Sequence, residues 1–372
     1  MASYRDLIGR DKLNDLDEIL GISNVDLEGT VHAVKDNADA LFTWNYDKGE
    51  RPALNKLYEK AKTSQWNGET DLPWHLDVDQ EQLAAMQAAQ FGFQHMDLSG
   101  TPFDKWGDKE WLQLGIESQN WALSQFMHGE QGALLCTAKI VETVPWIDAK
   151  YYAATQVVDE ARHVEVFAKY LDKLSGHYPV NIHLRTLLDD IIEDSRWDMT
   201  YLGMQIMVEG LALAAFGFMY QLTEDPLLKQ LLRYVMSDEA RHVAFGVLSL
   251  QEYYAELNQD EIRERQEFAF EAAVRMRDRF LQQEVWERMG VDVRTMVKLQ
   301  LENQGDKNED PFQQLLFSKT VPNCKKLGLL DRNDGWLRQK FTELGVIQFE
   351  DWADTGEEYE TFQLAQGEIA AS

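Results

Sequence analysis

The chain has 372 residues, of which 44% are apolar, 11% aromatic and 27% charged, a composition that argues for a packed globular protein and against wholesale disorder. Its 36 basic and 64 acidic residues leave a formal charge of -28, which excludes a bare nucleic-acid backbone or an anionic membrane surface as the expected partner. The two cysteines, Cys136 and Cys324, allow one disulfide at most, and neither a signal-peptide-like start nor an uninterrupted apolar run long enough to span a bilayer stands out, so a reducing cytoplasm is the default location.

In chain order the reading is all-α. Asp26 and Thr30 are candidate caps for a helix near 31–45. Pro52 suits the first turn of a short helix that follows. Residues 66–77, with Asn67, Gly68 and Pro73, read as a loop, and Asp79 precedes the helical pattern QEQLAAMQAAQFGFQHM. Gly100, Pro102 and Gly107 break the chain again. Four long helical stretches follow, at about 108–142, 147–172, 182–221 and 226–257, the third with a break near Arg196 to Thr200. Further helices are expected at about 260–285, 292–302 and 328–343. Residues 303–312 read as a loop, and the run IQFE at 347–350 is the best strand candidate. Beyond Glu350 the acidic residues Asp351, Asp354, Glu357, Glu358 and Glu360 predict an exposed or loosely docked tail. The expected organisation is N-terminal helices in 1–107, a bundle core in 108–257, and C-terminal helices with the acidic tail in 258–372.

The most informative feature is an internal repeat. The hexapeptide DEARHV stands at Asp159–Val164 and again at Asp238–Val243, offset by 79 residues. Glu130 and Glu209 are also 79 apart, and each lies 30 residues before the glutamate of its DEARHV. Glu160 and His163 are three apart, as are Glu239 and His242, so each pair shares one helix face. Thirty residues let a helix end, turn and return to the same height, two legs of about 15 residues at roughly 1.5 Å each. Four helices can thereby bring Glu130, Glu160, His163, Glu209, Glu239 and His242 to one point, the arrangement of a dinuclear carboxylate site in a bundle.

Charge supports that reading. Four glutamates balance two divalent ions, whereas four bare carboxylates in a core would have to take up protons. Oxygen and imidazole donors suit iron or manganese. The segment around Glu209, QIMVEGLALAAFGFM, is nearly apolar all round and therefore expected to be buried. Gly129, Gly132 and Gly210 permit close helix approach or a small cavity. Asp159 and Asp238 can accept from the outer nitrogens of the histidines, with the pairing crossing the halves, and Arg162 and Arg241 can neutralise them.

One Glu-x-x-His alone is most often a surface ion-pair motif; two copies sharing a period with two further glutamates are not. His128 is off the Glu130 face and reads as packed or hydrogen-bonded. His95, His177 and Cys136 belong to no comparable cluster. Tyr151, Tyr152, Phe216 and Phe218 are core by default, with Phe216 or Phe218 as candidate pocket walls.

These residues, Glu130…DEARH and Glu209…DEARH, resemble the ferritin-like di-iron oxygenase and oxidase superfamily, which includes class I ribonucleotide reductase small subunits, soluble acyl carrier protein desaturases and bacterial multicomponent monooxygenases. The resemblance covers about 108–257. It implies a ferritin-like four-helix bundle with peripheral helices and two Fe ions, or Mn/Fe, held by the six residues. Dioxygen would be co-substrate, and one or two carboxylates would bridge the metals, with Glu209 or Glu239 shifting on oxidation. It also implies an external donor such as a ferredoxin or reductase, because no Rossmann fingerprint or iron–sulfur cysteine set is present. Three departures narrow the kinship. Phe167 stands where reductase subunits place a radical tyrosine, Leu213 where multicomponent monooxygenases place a threonine, and Val235 where arylamine N-oxygenases place an extra histidine. The expected activity is oxidation of a small organic or acyl substrate near Leu134, Leu213 and Phe216 by hydroxylation, N-oxygenation, desaturation or oxidative cleavage. The rival reading is a radical-generating or ferroxidase-like protein without its own organic substrate. A homodimer is left open.

Overall fold

The computed structural model describes residues 3–22, 27, 32–40, 42, 44–91, 100–174, 176–303 and 316–355. Short helices α1 (Tyr4–Ile8), α2 (Leu16–Ile22), α3 (Pro52–Thr63) and α4 (Gln80–Phe91) precede the bundle. The bundle begins with α5 (Asp108–Thr143) and α6 (Ile147–Leu171) and continues through α7 (Ile182–Glu193) and α8 (Trp197–Tyr201). A π-helical turn at Leu202–Val208 leads into α9 (Glu209–Leu222), which is followed by α10 (Pro226–Glu256). The C-terminal part holds α11 (Gln259–Arg279), α12 (Gln283–Arg288), α13 (Val293–Asn303), α14 (Thr320–Lys326), α15 (Arg332–Leu344) and a 3₁₀ turn at Ile347–Phe349. The architecture is an all-α ferritin-like bundle of α5, α6, α9 and α10 with peripheral helices, and no strand occurs among the described residues.

Local chemistry sets the helix limits. Pro145 cannot continue α5, and Val144 at its end is extended. Asp225 caps α10 by accepting from the Leu227 amide at 3.0 Å, with Pro226 in the first turn. The same aspartate accepts from the Tyr170 hydroxyl at 2.5 Å, which ties the end of α6 to the start of α10. Asn181 caps α7, and Asn258 with Glu261 forms a capping box on α11.

The π turn is the one irregularity inside the bundle, and it faces a close crossing. A Cβ on Gly246 of α10 would lie 2.5 Å from the Gln205 Cβ of that turn. Glycine therefore lets the widened turn approach α10.

Four expectations are corrected. Residues 32–40 are not helical. The buried Lys139 ammonium takes the Asn37 carbonyl at 2.8 Å and the Asp36 carboxylate at 2.9 Å, and the Asp39 amide donates to the Ser195 carbonyl. Those backbone groups are spent on the bundle instead of on a helix. The caps Asp26 and Thr30 lie outside the described residues. IQFE is a 3₁₀ turn whose Phe349 is buried, with no neighbouring strand among the described residues. Helix α15 contains Asn333, Asp334 and Gly335 at positive φ, so the expected 328–343 helix is broken there. The tail is docked at its start: Thr355 is buried and its amide donates to Asn323 at 3.0 Å, while Glu357, Glu358 and Glu360 lie outside the described residues.

The segment Trp197–Leu222 is long and apolar enough by composition to cross a membrane, although Glu209 interrupts its apolar run. It is the buried inner strand of helix in the bundle, 67% covered over its most apolar window, and it carries Glu209.

Candidate metal centre

The structure brings all six sequence-selected residues together. Glu130 comes from α5, Glu160 and His163 from α6, Glu209 from the first turn of α9, and Glu239 and His242 from α10. None is more than 5% exposed. The short turns 144–146 and 223–225 return each helix antiparallel, so the 30-residue spacing places donors at one height.

The geometry around each imidazole is diagnostic. His163 Nδ1 lies 3.2 Å from Glu130, 3.5 Å from Glu160 and 3.0 Å from Glu239 oxygens. One N–H cannot serve three carboxylates. His242 Nδ1 lies 3.0 Å from Glu160 and 3.5 Å from Glu239. Glu160 and Glu239 thus each face both histidines with different oxygens, the disposition of bridging ligands. Glu130 belongs to the His163 side. Glu209 groups with Glu160 and His242. Both Glu239 oxygens, one oxygen each of Glu160 and Glu209, and His242 Nδ1 make no aligned hydrogen bond although buried. Orphaned donors and acceptors converging on one point fit a pair of cations.

Protonation tells the same story from the side of the bare protein. Burial first, then the neighbouring glutamates, push the Glu130 and Glu209 carboxyls well above their usual range. Burial opposes charge on Glu160 too, but His242 and His163 outweigh it and hold that carboxyl well below. Burial likewise disfavours His163 and His242 as cations, yet the surrounding carboxylates raise both well above the ordinary imidazole value. Without metal, protons take the place of cations.

The outer nitrogens pair across the halves. His163 Nε2 meets Asp238 at 3.2 Å, and His242 Nε2 meets Asp159 at 3.4 Å. Each arginine spans both aspartates. Arg162 contacts Asp159 closely and Asp238 at 3.1 Å, and Arg241 contacts Asp238 closely and Asp159 at 3.4 Å. Burial pushes the Asp238 carboxyl up, but His163, Arg241 and Trp66 hold it well below the usual range. The imidazoles are thereby fixed with Nε2–H outward and Nδ1 inward.

Three contributors were missed. Gln156, one turn before Glu160, donates to Glu160 at 2.8 Å and Glu209 at 2.9 Å. Its position on the Glu160 face was the available signal. Trp66 donates from Nε1 to Asp238 at 2.8 Å and stacks on Tyr234 with 4.8 Å between centroids. Gln65 donates to Asp159 at 3.1 Å. Both come from the 66–77 loop and its edge, where no local pattern marks a role.

Beside the centre is a small, largely apolar cavity of about 20 Å³, water-sized, lined on its apolar sides by Phe126, Ala133, Met204, Val208, Ala212 and Phe216. Phe216 is a wall as expected, but Ala133 and Ala212 line the space instead of Leu134 and Leu213. Gly129 also borders it, and a Cβ there would meet nothing within 4 Å. At Gly132 a Cβ would strike Leu188, and at Gly210 it would crowd Thr320, so these two serve close packing. Phe167 is fully buried and stacks with Phe216. His128 bonds Gln131 and the Tyr178 carbonyl, each at 2.9 Å, and His177 is a surface residue near Asp172. His95 lies outside the described residues. Cys136 and Cys324 are buried and not joined to each other.

Neither a protein-family model nor a curated protein matches the chain. Among solved structures it is similar to an R2-like ligand-binding oxidase. A tyrosine-to-phenylalanine mutant with an aerobically reconstituted Mn/Fe cofactor shares 17% identity over 70% of this chain and 93% of that one, with a TM-score of 0.43. A second such mutant, with an anaerobically reconstituted Mn/Fe cofactor, shares 18% over 69% and 93%, with a TM-score of 0.41. At that distance the site stands on its own geometry. Bundle, repeated half-sites and donor set together make this a ferritin-like carboxylate centre suited to two iron or manganese ions.

Proposed function

We propose that the chain is a di-metal oxidase that uses dioxygen. The observation that carries this is the convergence of Glu160 and Glu239 on both Nδ1 atoms inside a buried, hydrogen-bond-poor pocket. Glu130, Glu160, His163, Glu209, Glu239 and His242 would hold the ions, Glu160 and Glu239 being the two carboxylates that face both histidines. A reduced iron or manganese–iron pair supplies the electrons that dioxygen accepts. Asp238 and Asp159 keep the two Nε2 protons in place, so Nδ1 stays a donor to metal. Gln156 orients Glu160 and Glu209, and Phe126, Phe167 and Phe216 keep water from the open side. Electrons for repeated turnover come from an external ferredoxin or reductase.

Two versions of this function differ in what is oxidised. The simpler needs only the six ligands and oxidises metal or generates a radical for another protein. The fuller one oxidises a small organic or acyl molecule, for which the cavity of about 20 Å³ beside Glu130, Glu209 and Glu239 would have to widen; the bare six-ligand site favours the simpler one. The test is anaerobic loading with ferrous ion, then a measured dose of dioxygen. Two ions per chain and oxygen uptake lost in Glu160→Ala are expected. Folded protein that binds no metal and consumes no oxygen overturns the proposal. Uptake that runs only on added ferrous ion selects the simpler version.

A further inference from the structure

The π turn puts a thioether beside the metal ligands. Its wide winding closes with the Glu209 amide donating to the Met204 carbonyl, five residues back instead of four. In regular α-helical winding a residue five positions back would lie about 140° round the helix from Glu209. The wider turn brings Met204 closer to the Glu209 face. Met204 is fully buried and lines the small cavity together with Glu130, Glu209 and Glu239. That cavity, of about 20 Å³, has room for one water or a molecule of that size and for no organic substrate. Its other walls are alanine, glycine and valine, the Phe126 and Phe216 rings, and the polar side chains of Gln125 and Arg279. Of these groups only the thioether offers a sulfur lone pair to an oxygen atom, whereas a phenylalanine ring would have to give up a C–H bond.

We propose that Met204 is the oxygen acceptor built into this centre: when no outside molecule reaches the cavity, dioxygen converts its thioether to the sulfoxide. The inference rests on the di-metal reading of the six ligands, and it goes beyond both versions of that function because the group oxidised belongs to the chain itself. The step balances. The sulfur lone pair forms the S–O bond as the O–O bond breaks. Sulfur gives up two electrons and the two ferrous ions one each. The second oxygen atom takes up two protons and leaves as water. Position makes the step selective. Met199 and Met207 lie on the same stretch of chain and are also buried, but neither lines the cavity, and Met219 is half-buried. An oxidant made at the centre meets Met204 first, whereas one that diffuses in from solvent meets Met219 first.

The experiment is peptide mass spectrometry after one dose of isotope-labelled dioxygen to protein loaded anaerobically with ferrous ion, with catalase present and metal content and oxygen uptake recorded on the same sample. Cleavage after Arg196 and Lys229 gives one peptide that holds Met199, Met204, Met207 and Met219, so three internal controls accompany the site. Labelled oxygen is expected on Met204 at about 10-fold or more above each of the other three. It is expected to be absent from the peptide in Met204→Leu and in Glu160→Ala. Equal labelling of the four methionines overturns the inference, as attack by a diffusing oxidant. Label on Phe126 or Phe216 instead of Met204, or unlabelled oxygen on Met204, also overturns it. If either variant fails to fold, the comparison of the four methionines in wild type decides. Oxygen uptake that leaves no label in the chain sinks the inference alone. Wild type that binds no metal and takes up no oxygen sinks the di-metal reading and the inference with it.

Discussion

His163 Nε2 lies 3.2 Å from Asp238, a carboxylate delivered by the other half of the repeat. The same aspartate accepts from Trp66 at 2.8 Å and pairs with both Arg162 and Arg241. Orientation of an inner donor in one half therefore depends on the other. Asp238→Asn keeps the shape but removes the charge that holds the Nε2 proton. We expect its metal affinity to fall about 10–100-fold, as outer partners of ligand histidines generally do. Asp159→Asn should behave alike through His242. Competition with a chelator measures it, and unchanged affinity in both variants would show that the crossed pairs do not orient the donors.

Metal uptake should depend on pH with a definite sign. In the metal-free protein His163 and His242 are raised well above the usual imidazole value, and Glu130 and Glu209 well above the carboxyl range. Every ligand must be unprotonated to coordinate, so binding releases protons and affinity rises with pH. Titration in buffers of different ionisation enthalpy counts those protons. Proton uptake, or affinity flat from about pH 6 to 8, would contradict this protonation pattern.

Gly246 sets how closely α10 meets the π turn that leads to Glu209. In a helix interior Gly→Ala ordinarily stabilises by up to about 1 kcal/mol. Here the new methyl would lie 2.5 Å from the Gln205 Cβ, an atom that cannot swing away without its backbone. Overpacking of about 1–3 kcal/mol should win. Gly246→Ala is expected to unfold at lower denaturant concentration than wild type. A more stable variant would show that the crossing is looser than described.

Much of the bundle was legible because α5, α6 and α10 are long, Pro145 and the Asp225-Pro226 pair punctuate the chain between them, and the helices carry a repeat of fixed offset. The repeat singled out six residues that the fold does bring together. Gln65 and Trp66 were not legible, since each reaches the centre from a segment remote in sequence. The π turn escaped because QIMVEGLALAAF is apolar on every side and its period says nothing of winding. Residues 32–40 misled because local helical pattern lost to Lys139, a tertiary partner 102 positions from Asn37.

His183 gives a pH signature independent of the metals. Burial lowers its pKa from 6.5 to about 4. The unfolded chain binds the proton more readily, so the associated stability is present above about pH 6.5 and lost as pH falls through about 4. At about 1.4 kcal/mol per unit the full loss is on the order of 3 kcal/mol. Denaturation of metal-free wild type and His183→Leu between pH 4 and 7 checks this, and the variant should show the shallower slope. Equal slopes would place the titration elsewhere.

The central claim is a two-ion centre held by Glu130, Glu160, His163, Glu209, Glu239 and His242. Anomalous diffraction from crystals of the iron-loaded protein tests it most directly. The account predicts two iron peaks, one beside His163 Nδ1 and Glu130, the other beside His242 Nδ1 and Glu209, with Glu160 and Glu239 between them. A single peak, or iron bound only at the surface while these six residues keep their bare arrangement, would contradict it.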